Sequence, residues 1–349
     1  ALLKDAGPKS PSSLYVCVDQ VLFCWLLRRR SRRPLASPMV ILLGMSFMED
    51  VPLNWRDEVA ADVFIWFSPS WTWSSFQVDK ASEPLQDLLW TQHQHIVLQT
   101  FWQFGLKVPW FDLPGLSFWS GAKHNPPHSN TRPSLIVLRS AFWRLPAGNV
   151  LRSLVRHLFV NEDVHWMESF LGGSLHQSHI AASWTSWEEM AAFTAALYMP
   201  HELYQLKFRD MYAMGVPLLA PGSAWLLRSL REMFRMWGQL NSDFRHRLPA
   251  CPEGVQPPGT PEARCIDVGR RFESDRWPFG EPFLNVDVDP PGKLAYYQTL
   301  MDVERYPYVL RFESLAELHE QFQFAHRSGQ ALGELMRDFF RTKVVANSL

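Results

Sequence analysis

The chain has 349 residues, 47% of them hydrophobic and 20% charged, an ordinary globular balance with length for about two domains. A formal net charge of −1 gives no global pull toward nucleic acid or anionic membranes. Neither a Gly-x-x-x-x-Gly-Lys-Ser/Thr run nor a Gly-x-Ser-x-Gly run occurs, so neither a P-loop nucleotidase nor an α/β-hydrolase elbow is indicated.

Residues 1–33 read as a separate N-terminal segment. Ala1 to Ser13 is polar and rich in Pro and Ser, which predicts disorder or a truncated start. Leu14 to Leu27 is an apolar run of 14 residues interrupted by Asp19 and Gln20, and five arginines follow between Arg28 and Arg33. A spanning helix needs ~20 apolar residues. The run therefore reads as a buried helix or strand with a basic tail, a membrane anchor being the alternative.

Residues 34–130 read as a first α/β domain. Pro38 to Ser46, Val63 to Phe67 and His95 to Phe101 are predicted strands, and Phe76 to Trp90 has one helical face. The chain carries 16 Trp and 24 Phe, which read mainly as core, although aromatic faces also stack on sugars. Cys17, Cys24, Cys251 and Cys265 fit no zinc pattern and read as free thiols; each near pair could close a disulfide only in an oxidising compartment. Gly121 to Pro133, with three prolines and no apolar run, reads as a solvated linker and the domain junction. His124 and His128 lie in it, with Pro126 and Pro127 between them forbidding a helix that would join them as ligands.

Residues 131–349 read as a second domain with a clearer strand–helix rhythm. Ser134 to Leu138 is a predicted strand and Val150 to Phe159 an amphipathic helix. Glu168 to Gly173 reads as a short strand ending at glycines. A helix within Trp184 to Thr194 starts at a capping box of Ser186 and Glu189. Ala196 to Met199 is a strand closed by Pro200. A helix over Leu206 to Met214 follows, then Gly215 as its C-terminal stop, Pro217, and a strand over Val216 to Ala220. The helix Ala224 to Leu240 comes next. Residues 241–292 are rich in Pro, Gly and charge and read as an inserted loop. A strand over Tyr308 to Phe312 and two helices, Leu315 to Ala325 and Ala331 to Phe340, close the chain.

Within Ala195 to Pro221, Glu202 and Asp210 are separated by seven residues, and Asp210 opens the run Asp-Met-Tyr-Ala-Met-Gly-Val-Pro. This resembles the donor-binding segment of GT-B-fold glycosyltransferases of the retaining, nucleotide-sugar-dependent kind. In these, two glutamates stand at that spacing and the second opens Glu-Ala-x-Ala-x-Gly-x-Pro. The departures are Asp210 for the second glutamate and Met211 for the first alanine. The resemblance spans about Ser134 to Leu240. It implies an α/β fold of two Rossmann-like domains facing across a cleft. It implies a nucleotide-sugar donor as co-substrate, a glycan, lipid or protein acceptor, and no metal, other cofactor or nucleic acid.

Carried over residue by residue, the resemblance puts Glu202 near the donor sugar or in support of the reaction centre, and Asp210 at the nucleotide ribose. Arg139, at the end of its strand, and Arg144, five residues on, would meet the diphosphate. Leu138 stands where the family has a glycine before the arginine. His201 is a candidate donor to a phosphate or sugar hydroxyl, its plainer role a surface histidine. Gly215 shapes the far end of the same helix. Two rival functions remain open: an inactive GT-B-like protein that binds a glycan or partner, and a metal-dependent GT-A-like transferase using Asp287 and Asp289, which have the Asp-x-Asp spacing suited to a hard cation. His176 and His179 lack a third ligand and the glutamate of a metalloprotease motif.

Overall fold

A computed structural model describes residues 15–18, 21–27, 39–43, 51–56, 58–59, 88–91, 93–104, 108–110, 115–126, 132–167, 186–201, 203, 205–237, 279 and 281–346. The chain is α/β. It divides into two compact units, residues 1–111 with 240–285, and residues 112–239 with 286–349. The predicted strand at Val63–Phe67, the one at Glu168–Gly173, and residues 241–278 of the 241–292 loop lie outside the described residues.

The first unit carries a parallel sheet in the order β1 (Tyr15–Val18), β2 (Met39–Leu43), β3 (Leu88–Thr91). The apolar run at 14–27 is therefore divided between β1 and a short helix α1 (Val21–Trp25). Among the described residues no helix is long and apolar enough to cross a membrane. Met39, Ile41, Leu43, Leu89, Trp25, Ile96 and Phe104 form its core. Two expectations are corrected here. Cys17 of β1 and Cys24 of α1 are disulfide-bonded, their Cα atoms 6.2 Å apart. His95 to Phe101 is not a strand but part of helix α2 (Gln94–Phe104). The third strand is Leu88–Thr91, at the end of the stretch expected to be helical. A short apolar run does not by itself distinguish the two states. The deciding contacts are hydrogen bonds, one set local and one not: the His93 carbonyl accepts from the Ile96 and Val97 amides, and the Thr91 hydroxyl donates to the Leu43 carbonyl, which fixes β3 against β2.

The second unit carries five parallel strands in the order β5 (Asp163–Trp166), β4 (Ser134–Val137), β6 (Ala195–Leu197), β7 (Leu218–Pro221), β8 (Leu310–Phe312). Leu135, Val137, Ala195, Ala196, Leu197, Leu218 and Leu219 are wholly buried, the pattern of strands covered on both faces. β5 alternates between exposed and half-buried residues, as an outer strand does, and its polar sequence gave no strand signal. The helices are α3 (Leu116–Ser120), α4 (Pro146–Leu158), α5 (Trp187–Ala191), α6 (Leu206–Met214), α7 (Ser223–Trp237), α8 (Pro291–Thr299), α9 (Asp302–Arg305) and α10 (Leu315–Phe339). The capping box of Ser186 and Glu189 opens α5, and Gly215 closes α6 with φ 79°.

The two closing helices expected at the C-terminus are one helix, α10, of 25 residues. Gly329 does not break it. Gly329 and Gly333 are both buried and one turn apart, and they let α10 lie against His124, Pro217 and the Gly215 carbonyl. Within 121–126, Gly121, Lys123 and Asn125 are exposed, as a solvated segment would be, but His124 is packed into the unit. The His124 amide donates to the Met214 carbonyl at 2.8 Å, the Asn125 amide donates to the Ala191 carbonyl at 3.0 Å, and His124 is 7% exposed.

His124 makes the unit acid-sensitive. Its Nε2–H donates to the Phe193 carbonyl at 3.1 Å, while its Nδ1 is buried with no hydrogen-bond partner among the described residues. Burial pushes its pKa down to about 4, against a smaller upward pull from the Phe193 carbonyl. The folded state thus refuses a proton that the unfolded chain accepts near pH 6.5. Stability is full above that pH and falls as the pH drops toward 4, by roughly 3 kcal/mol for this residue. Urea denaturation between pH 7 and 4 is expected to show a shallower loss for His124→Gln than for the wild type; equal slopes would remove His124 as the cause.

Candidate functional site

Chain order along the sheet of the second unit reverses at β4. The chain runs from β4 outward to β5, then returns to β6 on the other side of β4. Ligands of open α/β sheets bind outside the carboxyl ends of the strands at such a reversal. Val137 pairs with Leu197, and the Leu138 amide donates to the Leu197 carbonyl, so the segments leaving β4 and β6 start side by side.

Arg139 leaves β4 and is exposed. Ser140 is buried and caps the turn Ala141–Arg144, its hydroxyl accepting from the Phe142 amide at 3.1 Å. Trp143 anchors the turn by donating its indole N–H to the Leu138 carbonyl. Arg144, the last residue of the turn, stays exposed. His201 follows β6 and is half-buried, its Nδ1 against the amide nitrogen of Gln205, which caps α6. Burial, and then the charges of Arg139 and Arg144, hold the His201 pKa down at about 4. At pH 7 the ring is neutral and, with Gln205 at Nδ1, carries its proton on Nε2. The charges of two exposed arginines thus bear on one imidazole at the edge of the sheet. Glu202 lies outside the described residues.

Asp210 has a different place from the one expected. It is 4% exposed, on the buried side of α6. Its Oδ1 accepts from the Ser117 amide at 3.1 Å, and its backbone carbonyl accepts from the Ser117 hydroxyl at 2.7 Å. The carboxylate thus closes the N-terminus of α3, with the Lys207 ammonium 3.8 Å away. A side chain at Gly115 would stand 2.5 Å from Oδ1, so the glycine is part of the same joint. Burial raises the Asp210 pKa, opposed by the Ser117 amide and Lys207. Both the carboxylate and the backbone carbonyl of Asp210 are thus engaged with Ser117. Gly215 is a helix stop beneath α10 and is wholly structural in its contacts.

Asp287 and Asp289 stand on the turn before α8. Asp287 lies 3.4 Å from Arg235, and Asp289 lies 3.0 Å from the buried Lys293. Among the described residues no group of three or more His, Cys, Asp or Glu could hold a metal ion. Asp287 thus ties the turn to the last turn of α7, and Asp289 ties it to the first turns of α8.

Three residues at the same edge escaped the sequence reading. Trp166 ends β5, with Trp143 edge-on at 5.2 Å and the Arg152 guanidinium 4.9 Å from its ring centre. Arg311, inside β8, donates to the Pro221 carbonyl at 3.0 Å and pairs with Glu304 at 3.1 Å. Glu313 follows β8 and lays its carboxylate where a side chain at Gly222 would be. An arginine within the otherwise apolar run YVLRF was the one available signal; the other two depend on tertiary contacts.

No protein-family model and no curated protein matches the chain. Among solved structures, the chain is similar to the crystal structure of CalG4, the calicheamicin glycosyltransferase, at 14% identity and a TM-score of 0.29, over 97% of this chain and 75% of that one.

Proposed function

We propose that the chain transfers a sugar from a nucleotide-sugar donor to a glycan, lipid or protein acceptor, in a protein of GT-B type. The observation that carries the reading is the convergence of Arg139, Arg144 and the neutral His201 where the strand order reverses. A departing diphosphate needs its growing negative charge neutralised, and a pair of arginines with a neutral N–H donor does this without a metal ion or further cofactor. In this reading Arg139 and Arg144 hold the diphosphate, and His201 donates through Nε2–H. Glu202, next in the chain, is the carboxylate assigned to the sugar side of the reaction centre. The resemblance of the 195–221 stretch supplies the sugar part of the reading.

Titration calorimetry with free nucleoside diphosphates tests it. Arg139→Gln and Arg144→Gln are each expected to weaken binding about tenfold or more, since a charge-assisted hydrogen bond contributes roughly 1.5–3 kcal/mol. Both residues are exposed, so thermal stability is expected to stay unchanged. A wild type that binds no nucleoside diphosphate at millimolar concentration would remove the donor site.

A further inference from the structure

Two stretches of the second unit meet at one end of it: α3 with the segment that follows, and the close of α10 with the π-helical turn Phe340–Val345 that continues it. The Phe118 ring lies 5.8 Å from the Phe340 ring. The Met214 carbonyl accepts from both the His124 amide at 2.8 Å and the Arg337 guanidinium at 3.3 Å. The rotation of α3 is fixed, because Ser117 is wholly buried and bonded twice to Asp210. That rotation turns Leu116 and Trp119 outward, each 70% exposed, and Trp119 is the most exposed aromatic side chain among the described residues. Phe118 stands edge-on to Trp119 at 5.2 Å and, through its contact with Phe340, braces the indole against the unit.

The charge of this end is one-sided. Residues 115–126 and 337–346 carry Lys123, Arg337, Arg341 and Lys343 against a single acid, Asp338, although the whole chain has a net charge of −1. Lys123, Arg341 and Lys343 are exposed. An outward leucine and tryptophan with basic residues around them match the boundary of an anionic bilayer. An indole is favoured at headgroup depth, and ammonium and guanidinium groups meet lipid phosphates there. A neutral apolar partner would leave those charges unanswered.

We propose that this end of the second unit docks on an anionic lipid surface, with Leu116 and Trp119 entering the headgroup region and Lys123, Arg341 and Lys343 meeting lipid phosphates. The proposal stands apart from the sugar-transfer reading and does not depend on it. Each basic residue near such a surface strengthens binding about fivefold, and the attraction fades within a screening length of about 10 Å at 0.1 M salt. Docking is therefore weakened by salt, which burial of Leu116 and Trp119 alone is not.

Flotation of the full chain with vesicles tests it, one set of phosphatidylcholine alone and one of equal parts phosphatidylcholine and phosphatidylglycerol. The expected result is binding to the mixed vesicles that weakens as salt is raised, with little binding to phosphatidylcholine alone. Trp119→Ser is expected to weaken binding about tenfold or more, the loss of one large apolar side chain from the contact. Lys123→Gln with Arg341→Gln is expected to weaken it about twenty-fivefold, two steps of about fivefold. All three residues are exposed, so thermal denaturation is expected to match the wild type, and the losses then report the surface rather than the fold. Equal binding to both vesicle types would overturn the charge complementarity and the proposal with it. Mixed-vesicle binding unchanged in both variants would place the contact elsewhere on the chain and overturn this face. A lipid-free dimer seen by sedimentation velocity and lost in Trp119→Ser would give the face to a second copy instead. No binding to either vesicle type would overturn the proposal outright.

Discussion

Asp302→Ala is expected to destabilise the second unit by about 3–5 kcal/mol, the usual cost of leaving one partner of a buried ion pair without the other. Asp302 opens α9, and its carboxylate accepts along one edge of the Arg209 guanidinium, from Nε at 2.6 Å and from Nη2 at 2.9 Å. Arg209 is 1% exposed and Asp302 5%. Arg305 approaches the same carboxylate at 3.5 Å. Removing the carboxylate leaves a guanidinium that cannot shed its proton, in a place water does not reach. Urea denaturation measures the loss as a fall in midpoint at unchanged slope. Replacing both partners with apolar residues of similar size, Arg209→Met with Asp302→Leu, is expected to recover most of it, because the desolvation cost disappears along with the attraction. A loss below about 1 kcal/mol in Asp302→Ala, in the range of an exposed pair, would mean that the pair is not closed off from solvent.

The same helix shows what a sequence can and cannot disclose. α6 was legible to the residue, Leu206 to Met214, because a glycine at its end and a proline two residues on are local signals with local causes. The capping box at Ser186 was legible for the same reason. The roles of the charged residues on α6 were not. Arg209 finds its partner 93 positions away at Asp302, and Asp210 finds one 93 positions back at Ser117. Spacing along one helix carries no information about either. The acid expected at a ribose is thus a cap for a helix that the sequence did not announce. Arg139 and Arg144 show the converse. Their placement was tied to the end of a single strand, and the parallel pairing of β4 with β6 brings His201 to the same edge. In the first unit the error at His95–Phe101 has a plain physical source. An apolar run of that length suits either state, and the hydrogen bonds from the Ile96 and Val97 amides to the His93 carbonyl decide it.

Alanine at Gly333 is expected to be destabilising, although helix propensity alone predicts a gain of about 1 kcal/mol for Gly→Ala inside a helix. The two effects have opposite signs, so the measurement discriminates between them. A Cβ at position 333 would stand 2.4 Å from the Gly215 carbonyl oxygen, a backbone atom held by the close of α6. The Val216 amide reaches back to the Met211 carbonyl at 3.0 Å, and Gly215 sits at φ 79°, so that turn cannot retreat without losing the helix stop. Forcing a methyl into such a contact costs about 1–3 kcal/mol, which outweighs the propensity term. Gly215→Val is expected to cost more. The left-handed conformation alone penalises a side chain by roughly 1–2 kcal/mol, and the new Cβ would also meet the Gly333 carbonyl at 2.5 Å. Gly329→Ala gives the intermediate case. Its Cβ would meet the His124 ring at 3.1 Å and the Pro217 ring at 3.2 Å, side-chain atoms that can yield by a few tenths of an ångström, so its stability is expected to stay within about 1 kcal/mol of wild type. Gly292→Ala, on α8 with nothing within 4 Å of the new Cβ, is the control that should show the propensity gain by itself. Thermal denaturation of the four variants should rank them Gly292→Ala, Gly329→Ala, Gly333→Ala, Gly215→Val from most to least stable. A Gly333→Ala variant as stable as Gly292→Ala would mean that α10 does not lie against the end of α6.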